Sequence, residues 1–215
     1  MSNILITRPE HDHGTRYLSR WSEYIIQEAE KKGHTVIDLH RDKATRADFE
    51  GRVKKTNPAL VVLHGHGSER SVTGHDNKAL VMLGENETVL YDRITYAISC
   101  DSAAVLGREV AEKGNATYIG YTKSFVFNFN PSHINQPTRD SRAAQFLNAS
   151  NQVSLALLKG YTAKEASDRS RKMFRQAILT LLSSIVSDPC AREDAKDLYW
   201  DMTHQVCLGN GEVRI

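Results

Sequence analysis

Two reactive side chains follow apolar runs that have the composition of buried β-strands. The first run, Ala59–Leu63, leads into a histidine followed by a glycine, His66–Gly67. The second run, Ile94–Ser99, is followed at once by Cys100. In open parallel sheets, functional groups collect at the edge formed by the carboxyl ends of the strands. The spacing therefore predicts an imidazole and a thiol at one edge, which is the arrangement of a cysteine nucleophile with its base.

Cys100 is the predicted nucleophile, and its thiolate is the form that attacks. A helix is predicted just after it, over Ala103–Lys113. The first N–H groups of that helix would lower the pKa of the thiol and hold an oxyanion. The alternative is an inert cysteine at a buried strand end, because free cysteine is among the most buried residue types. Cys190 and Cys207 are widely spaced and form no CxxC pair, which argues against a disulfide framework or a structural zinc site.

His66 is the predicted base, and Gly67 after it offers an unobstructed backbone N–H donor. His64 is the rival base. If the strand continued through Gly65, His64 and His66 would point to the same face, so periodicity alone does not choose between them. We favour His66 because it lies further past the apolar run and nearer the rim of the sheet.

The HGHG motif has two other interpretations, a polar turn without function and half of a metal site. A metal ion needs further ligands at suitable spacing. The run His11, Asp12 and His13 contains residues of the required type. Nothing in the spacing specifies such an arrangement, so we expect neither a metal nor an organic cofactor.

Strands and helices alternate through the first 124 residues. The predicted strands are Asn3–Thr7, His34–Leu39, Ala59–Leu63, Ile94–Ser99 and Ala116–Tyr121, and the helices between them are Arg16–Lys32, Thr45–Lys55 and Ala103–Lys113. Shorter apolar pieces, Ala79–Leu83 and Val89–Tyr91, indicate a hairpin beside the main sheet. The alternation predicts an α/β fold with a mostly parallel sheet that is flanked by helices.

A different pattern begins after Ser124. A loop over Phe125–Asp140 precedes the predicted helices Ser141–Lys159, Ala163–Ser184 and Arg192–Met202. Gly209–Asn210–Gly211 then predicts a terminal hairpin between Gln205–Leu208 and Glu212–Ile215. Nothing resembles an interdomain linker, so we predict a single domain over residues 1–215, with a core at 1–124 and a helical C-terminal extension at 125–215.

Composition excludes several classes of function. The chain has 215 residues, of which 40% are hydrophobic and 25% are charged, and its formal net charge is +2. That charge is too close to zero to indicate nucleic-acid binding. No apolar run is long enough to span a bilayer, and the N-terminus lacks the pattern of a signal peptide. We expect a cytoplasmic protein without nucleic-acid or membrane partners; its oligomeric state is not predicted.

The order, strand context and interval of the His–Gly and Cys motifs resemble the caspase-like superfamily of cysteine peptidases, clan CD. Other segments are similar to its CHAT and gingipain-like branches and to uncharacterised caspase-like proteins of bacteria and archaea. These segments are GNATYIGY at Gly114–Tyr121, SLALLKGYTAKEA at Ser154–Ala166 and CLGNGEVRI at Cys207–Ile215. The resemblance covers nearly the whole chain and implies a caspase-like sheet.

The resemblance implies a role for each motif residue. Cys100 matches the nucleophile and His66 the general base, while the N–H groups of Gly67 and Cys100 match the oxyanion hole. The implied activity is hydrolysis of peptide bonds in a protein or peptide substrate, without a cofactor. The sequence SCDSA stands where caspases have QACRG, so a preference for aspartate at the P1 position is not implied.

Acidic residues near these motifs are candidate substrate-binding groups. Asp101 follows the nucleophile and would attract a basic P1 side chain, or would instead cap the following helix, which we favour. Glu69, Asp76 and Glu85 lie in loops at the same rim. Asn128, Asn130 and His133 form a weaker candidate substrate loop.

Two alternatives to a peptidase remain open at this point. The first is a catalytically silent caspase-like module that binds partners in a signalling or defence assembly. The second is a flavodoxin-like regulatory domain whose ligand binds at another strand switch point. An open groove shared by Cys100 and His66 favours the enzyme, whereas a filled or absent groove favours binding.

Overall fold

The structure is a computed structural model that describes residues 1–183 and 189–215. Within those ranges the strands are β1 (Asn3–Arg8), β2 (Thr35–His40), β3 (Leu60–His64), β4 (Gly67–Ser68), β5 (Ser71–Thr73), β6 (Ala79–Met82), β7 (Ile94–Ile98), β8 (Thr117–Tyr121) and β9 (Gln205–Gly209). The helices are α1 (His13–Trp21), α2 (Glu23–Lys31), α3 (Arg46–Thr56), α4 (Leu106–Lys113), α5 (Ser141–Leu158), α6 (Ala163–Ser183) and α7 (Ala191–His204). The predicted helix end at Ser184 lies outside the described residues.

A six-stranded sheet in the described residues has the order β2-β1-β3-β7-β8-β9. The first five strands are parallel, and β9 is antiparallel to β8. Strands β4, β5 and β6 form a separate small antiparallel sheet. The predicted α/β fold with a mostly parallel sheet is therefore confirmed.

Both faces of the sheet are covered. Along β1, Ile4 and Ile6 join an apolar cluster with residues of α1, α2 and α5, whereas Leu5 joins a cluster with residues of α3 and α4. This alternation follows from the two-residue period of a strand, and it explains why these strands read as continuous apolar runs. The sheet is therefore a rigid support for the loops at its carboxyl edge.

The C-terminal extension completes the sheet as well as packing on it. Strand β9 is part of residues 125–215, yet it pairs with β8 from Thr117↔Gly209 to Tyr121↔Gln205. Helix α5 contributes Leu147 and Val153 to the same cluster as Ile4. The predicted boundary at residue 124 therefore divides the chain but not the core.

The terminal hairpin prediction is wrong in its second strand. Residues 210–215 form no strand, and Gln205–Gly209 pairs with β8 instead. The last residues bond to the start of α6, where the Ala163 N–H donates to the Val213 carbonyl (3.0 Å) and the Lys164 N–H to that of Gly211 (2.9 Å). The first N–H groups of a helix lack partners within the helix, and these carbonyls supply them.

The hairpin predicted beside the main sheet is also wrong. Ala79–Met82 pairs with β5, while Glu87–Leu90 forms a turn of 3₁₀ helix. The Asn86 side chain accepts from the Met82 N–H (2.8 Å) and donates to the Leu80 carbonyl (3.0 Å). It thus takes the backbone groups that a second strand would have paired.

The predicted helix Arg16–Lys32 is two helices that meet at Ser22. Its start is earlier than predicted, at His13, because Asp12 caps it: the Thr15 N–H donates to Asp12 Oδ1 at 2.7 Å. The Ser22 hydroxyl donates to the Ser19 carbonyl (2.7 Å) at the break.

No helix in the described ranges is both long enough and apolar enough for a membrane span.

Candidate active site

Neighbouring parallel strands deliver the two predicted catalytic residues to one edge of the sheet. Strands β3 and β7 pair directly, and their last residues, His64 and Ile98, lie opposite each other. His66 therefore follows one strand end and Cys100 the next. The Ser99 hydroxyl joins the two loops by donating to the His66 carbonyl at 3.0 Å.

Cys100 and His66 line the same small cleft. Its volume is about 70 Å³, and its apolar walls include Leu18, Phe125 and Phe127. The side chain of His66 is 49% exposed, and Cys100 is half-buried. The thiol and the imidazole therefore share one cleft at the rim, as predicted, although the cleft is narrow.

Asp12 orients the imidazole of His66. Its Oδ1 accepts from the Thr15 N–H at the start of α1, and its Oδ2 lies 2.6 Å from His66 Nε2. Although burial opposes ionisation, the hydrogen bonds from Thr15 and His66 lower the pKa of the Asp12 carboxyl below its usual range. A carboxylate on Nε2 fixes the ring and leaves Nδ1 as the nitrogen that can accept the thiol proton.

The surroundings of Cys100 favour the protonated thiol over the thiolate. Burial raises its pKa above the ordinary cysteine value, and the charge of Asp101 adds to that shift. The Sγ atom lies 3.9 Å from the Phe125 carbonyl oxygen. Cys100 therefore needs a base to become a nucleophile, and the predicted lowering of its pKa by a helix is wrong.

The predicted helix does not begin next to Cys100, and local hydrogen bonds explain why. Helix α4 begins at Leu106 rather than at Ala103. The Ala103 N–H donates to the Tyr121 carbonyl at 3.0 Å, and the Asp101 N–H donates to the Lys123 carbonyl at 3.3 Å. These bonds to the end of β8 hold the chain in turns, so the helix starts only afterwards.

Asp101 does not cap α4. Val105 occupies the cap position, and no side chain caps the helix. Asp101 has a left-handed backbone conformation (φ 58°), and its Oδ2 accepts from the Ser124 hydroxyl at 3.2 Å. The favoured capping role is therefore wrong, whereas a role in substrate binding stays a prediction.

Gly67 lies against the nucleophile loop. A Cβ atom at this position would lie 2.0 Å from Ser99 Oγ and 2.8 Å from the Cys100 carbonyl oxygen, so only glycine fits. Gly67 faces Val72 in the small sheet, and the bond from the Thr73 N–H to the His66 carbonyl identifies this as a non-hydrogen-bonded pair. The Gly67 N–H therefore points away from β5, and its role in an oxyanion hole stays a prediction.

His64 is not the base. It is fully buried, and its Nδ1 lies 3.0 Å from the Thr7 carbonyl oxygen. Burial lowers its pKa to about 4. The neutral ring packs beneath the site, which leaves His66 as the candidate base.

The predicted substrate-binding acids lie outside the walls of the cleft. Glu69 is exposed, and its carbonyl accepts from the Leu106 N–H at the start of α4. Asp76 is exposed beside His75, with 3.5 Å between its Oδ2 and His75 Nε2. Glu85 forms an ion pair with Arg46 on α3. Substrate contacts by Glu69 and Asp76 stay predictions.

An aromatic loop closes one side of the cleft. Phe125 and Phe127 form walls of the cleft, with 6.1 Å between their ring centroids. The loop is held by α7, where Asp201 Oδ1 accepts from the Val126 N–H (3.0 Å) and Asp194 Oδ1 accepts from the Asn128 side chain (2.8 Å). Within the predicted loop 125–140, the residues that line the cleft are these two phenylalanines rather than Asn128, Asn130 and His133.

Asn128, Asn130 and His133 contact other residues of the chain, and a substrate role for them stays a prediction. Asn128 also donates to Asp197 (2.8 Å), and Asn130 accepts from the Ser132 N–H (3.0 Å). His133 Nδ1 lies 3.1 Å from the Ser132 hydroxyl. The alternation of Phe125 and Phe127 is the sequence signal that could have found the aromatic wall.

Three side chains at the mouth of the cleft could hold a metal ion. Ligand atoms of His11, Asp12 and His66 all lie within 4.8 Å of one another. His13 is exposed and is not part of this group. The sequence pattern HDH thus contributes two residues to the candidate group, and Asp12 is also the residue that orients His66.

Comparisons with known proteins add no assignment: no protein-family model and no curated protein matches this chain. The functional argument therefore depends on the site itself.

Proposed function

We propose that this protein is a cysteine endopeptidase with Cys100 as nucleophile and His66 as general base. The observation that supports this most directly is the cleft that Cys100 and His66 share. These residues follow two adjacent parallel strands, whose carboxyl ends lie at the same edge of the sheet. The resemblance to caspase-like peptidases points to the same pair. A Cys–His pair alone also occurs in other thiol enzymes, so the substrate class is part of the proposal.

In the proposed reaction, Nδ1 of His66 takes the proton of the Cys100 thiol as sulfur attacks the carbonyl carbon. The N–H groups of Gly67 and Cys100 stabilise the oxyanion. His66 then protonates the leaving amine, and a thioacyl enzyme remains. Water attacks the thioester with His66 again as base, which releases the acid and restores the thiol.

The raised pKa of Cys100 determines what His66 must do. Because burial keeps the thiol protonated, the attack depends on proton transfer to the imidazole rather than on a preformed thiolate. Asp12 stabilises the imidazolium that this transfer creates, since its Oδ2 lies 2.6 Å from Nε2. In this proposal Cys100 is the nucleophile, His66 is the base, and Asp12 is the carboxylate that positions the base.

The width of the cleft indicates how substrate enters. A volume of about 70 Å³ holds about two water molecules, which is less than most peptide side chains need. We infer that Phe125 and Phe127 shift when a peptide binds. Their apolar rings, together with Leu18, favour a substrate with an apolar residue near the scissile bond.

The second candidate is a catalytically silent module that binds partners. The narrow cleft and the protonated thiol favour it, because both would suit a site that no longer turns over. The orientation of His66 by Asp12 favours the enzyme, because a carboxylate on Nε2 leaves Nδ1 to accept the thiol proton.

Thiol state and net charge support the proposed compartment and partners. The thiols of Cys100 and Cys207 are free, which is consistent with a reducing cytoplasm. A net charge of +2 supports a protein or peptide substrate rather than nucleic acid.

A pair of matched cysteine variants tests the proposal. An electrophilic peptide probe should label the wild-type chain at Cys100, and a peptide library should be cleaved, as measured by mass spectrometry. Cys100→Ala should abolish both. Cys207→Ala is the control, because burial raises the pKa of Cys207 to about 11 and it lies on β9 away from the cleft. Labelling at Cys100 without cleavage of any library peptide would support the silent module instead.

A further inference from the structure

The mouth of the cleft brings together two imidazoles and a carboxylate from separate parts of the chain. His11 Nε2 lies 3.5 Å from Asp12 Oδ2, and His66 Nε2 lies 2.6 Å from the same oxygen. His11 and Asp12 precede α1, whereas His66 follows β3. Two histidines and one carboxylate form a set of ligands that suits zinc and similar divalent transition metals.

The spacing of these atoms suits one small ion. Tetrahedral zinc with bonds of about 2.0–2.1 Å places its ligand atoms about 3.3 Å apart. The observed separations of 2.6 and 3.5 Å lie on either side of that value, and all three atoms lie within 4.8 Å of one another. A metal ion would replace the hydrogen bond between Asp12 and His66, and small rotations of the three side chains complete the site.

His11 is held in place by the rings around it, and its Nδ1 is buried without a hydrogen-bond partner in the part of the chain that the structure describes. The ring of His11 is packed between those of His66 and His75, at centroid distances of 6.0 and 6.3 Å. Its side chain is only 11% exposed. His11 Nε2 also lies 3.0 Å from Asn77 Oδ1, so a metal ion on this nitrogen would replace that hydrogen bond as well. His11 takes no part in the proposed hydrolysis.

Coordination at this site would change what His66 can do. A metal on Nε2 uses the lone pair of that nitrogen, so the ring proton of neutral His66 must be on Nδ1. An Nδ1 that carries a proton cannot accept another from Cys100. Metal binding and proton abstraction by His66 are therefore mutually exclusive.

We propose that His11, Asp12 and His66 bind a zinc-type divalent cation that switches the peptidase off reversibly. The inhibitory consequence rests on the proposed peptidase function, whereas the metal site itself does not. His11 is the residue that distinguishes the two: it belongs to the metal site and not to the catalytic set.

The first experiment measures binding without activity. It uses the Cys100→Ala chain, which removes the nearby thiol as a ligand and removes catalysis. Co²⁺ is titrated into the metal-free protein while the visible absorption bands are recorded, and Zn²⁺ is then added to displace it. We expect one equivalent of Co²⁺ with the intense bands of tetrahedral coordination, and their loss on addition of Zn²⁺.

Three histidine variants in the same background identify the ligands. His11→Ala and His66→Ala should each weaken Zn²⁺ binding at least about tenfold, because each removes a direct ligand. His13→Ala is the matched control: His13 belongs to the same HDH run but is exposed and outside the group. Binding that is absent, or that His11→Ala leaves unchanged, would overturn the metal site.

The second experiment measures inhibition with the Cys100 thiol present. Zn²⁺ should slow labelling of Cys100 by a peptide probe, and a chelator should restore it. His11→Ala should keep basal labelling while requiring at least about ten times more Zn²⁺ for the same inhibition. Equal sensitivity of wild type and His11→Ala would show that the ion acts through the thiol, against the switch. If no probe or peptide reacts at all, the peptidase proposal fails while the binding experiment still decides the metal site.

Discussion

At the scale of single residues, Asp12 uses its two carboxylate oxygens for two tasks. Oδ1 caps α1 through the Thr15 N–H, and Oδ2 holds His66. The first contact is local and contributes to helix stability. The second connects residues 54 positions apart and positions the base. The cap fixes the carboxylate in place, so that the orientation of His66 depends on the start of a helix.

We expect Asp12→Asn to lower kcat by about tenfold or more while KM changes little. The amide still caps α1, but it no longer stabilises the imidazolium that forms when His66 takes the thiol proton. Steady-state cleavage of a peptide substrate measures both constants, and circular dichroism controls for folding. An unchanged kcat with an intact fold would mean that Asp12 does not position His66.

At the scale of elements, the site depends on the close approach of two loops. The loop after β3 brings Gly67 against the loop after β7, where Ser99 bonds to the His66 carbonyl. The parallel pairing of β3 and β7 sets this distance, because their carboxyl ends lie side by side. Any side chain at Gly67 would therefore push the proposed base and oxyanion donor away from Cys100.

Gly67→Ala should reduce labelling of Cys100 by an electrophilic peptide at least about a hundredfold, as expected when an oxyanion-hole donor is displaced from its position. The added methyl group meets Ser99 Oγ and the Cys100 carbonyl oxygen. Gly51→Ala is the control, because a Cβ at Gly51 on α3 has open space around it. That control should keep full labelling and stabilise the fold by about 0.5–1 kcal/mol. Equal labelling of both variants would remove Gly67 from the site.

At the scale of the whole molecule, Glu10 ties together the elements that carry Asp12. Its carboxylate contacts His40 at the end of β2 (3.0 Å), Arg41 (2.9 Å) and the Ser19 hydroxyl on α1 (2.9 Å). Although burial opposes ionisation, these hydrogen bonds lower the pKa of Glu10 to about 2. The ionised form is thus the one that the folded state stabilises.

Glu10→Gln should destabilise the protein by about 2 kcal/mol at pH 7, and the difference from wild type should shrink as pH falls from about 4.5 toward 2. The folded pKa lies below the unfolded one, so the stabilisation is fully present above the unfolded pKa and is lost as Glu10 is protonated. Urea unfolding of both proteins at pH 7 and pH 3 measures this difference in the free energy of unfolding. Glu30→Gln, at an exposed position on α2, is the control. A difference that stays constant with pH would show that the charge of Glu10 contributes nothing.

The sequence by itself determined the sheet and the two predicted catalytic residues. Apolar runs such as Ala59–Leu63 and Ile94–Ser99 indicate buried parallel strands, and the rule that their carboxyl ends share an edge places His66 near Cys100. The tertiary structure decided three further features. These are the contact of Asp12 with His66, the wall that Phe125 and Phe127 form in the cleft, and the start of α4 at Leu106. These depend on hydrogen bonds and packing between residues far apart in the chain, which leave no local pattern, whereas strand periodicity is written into neighbouring residues.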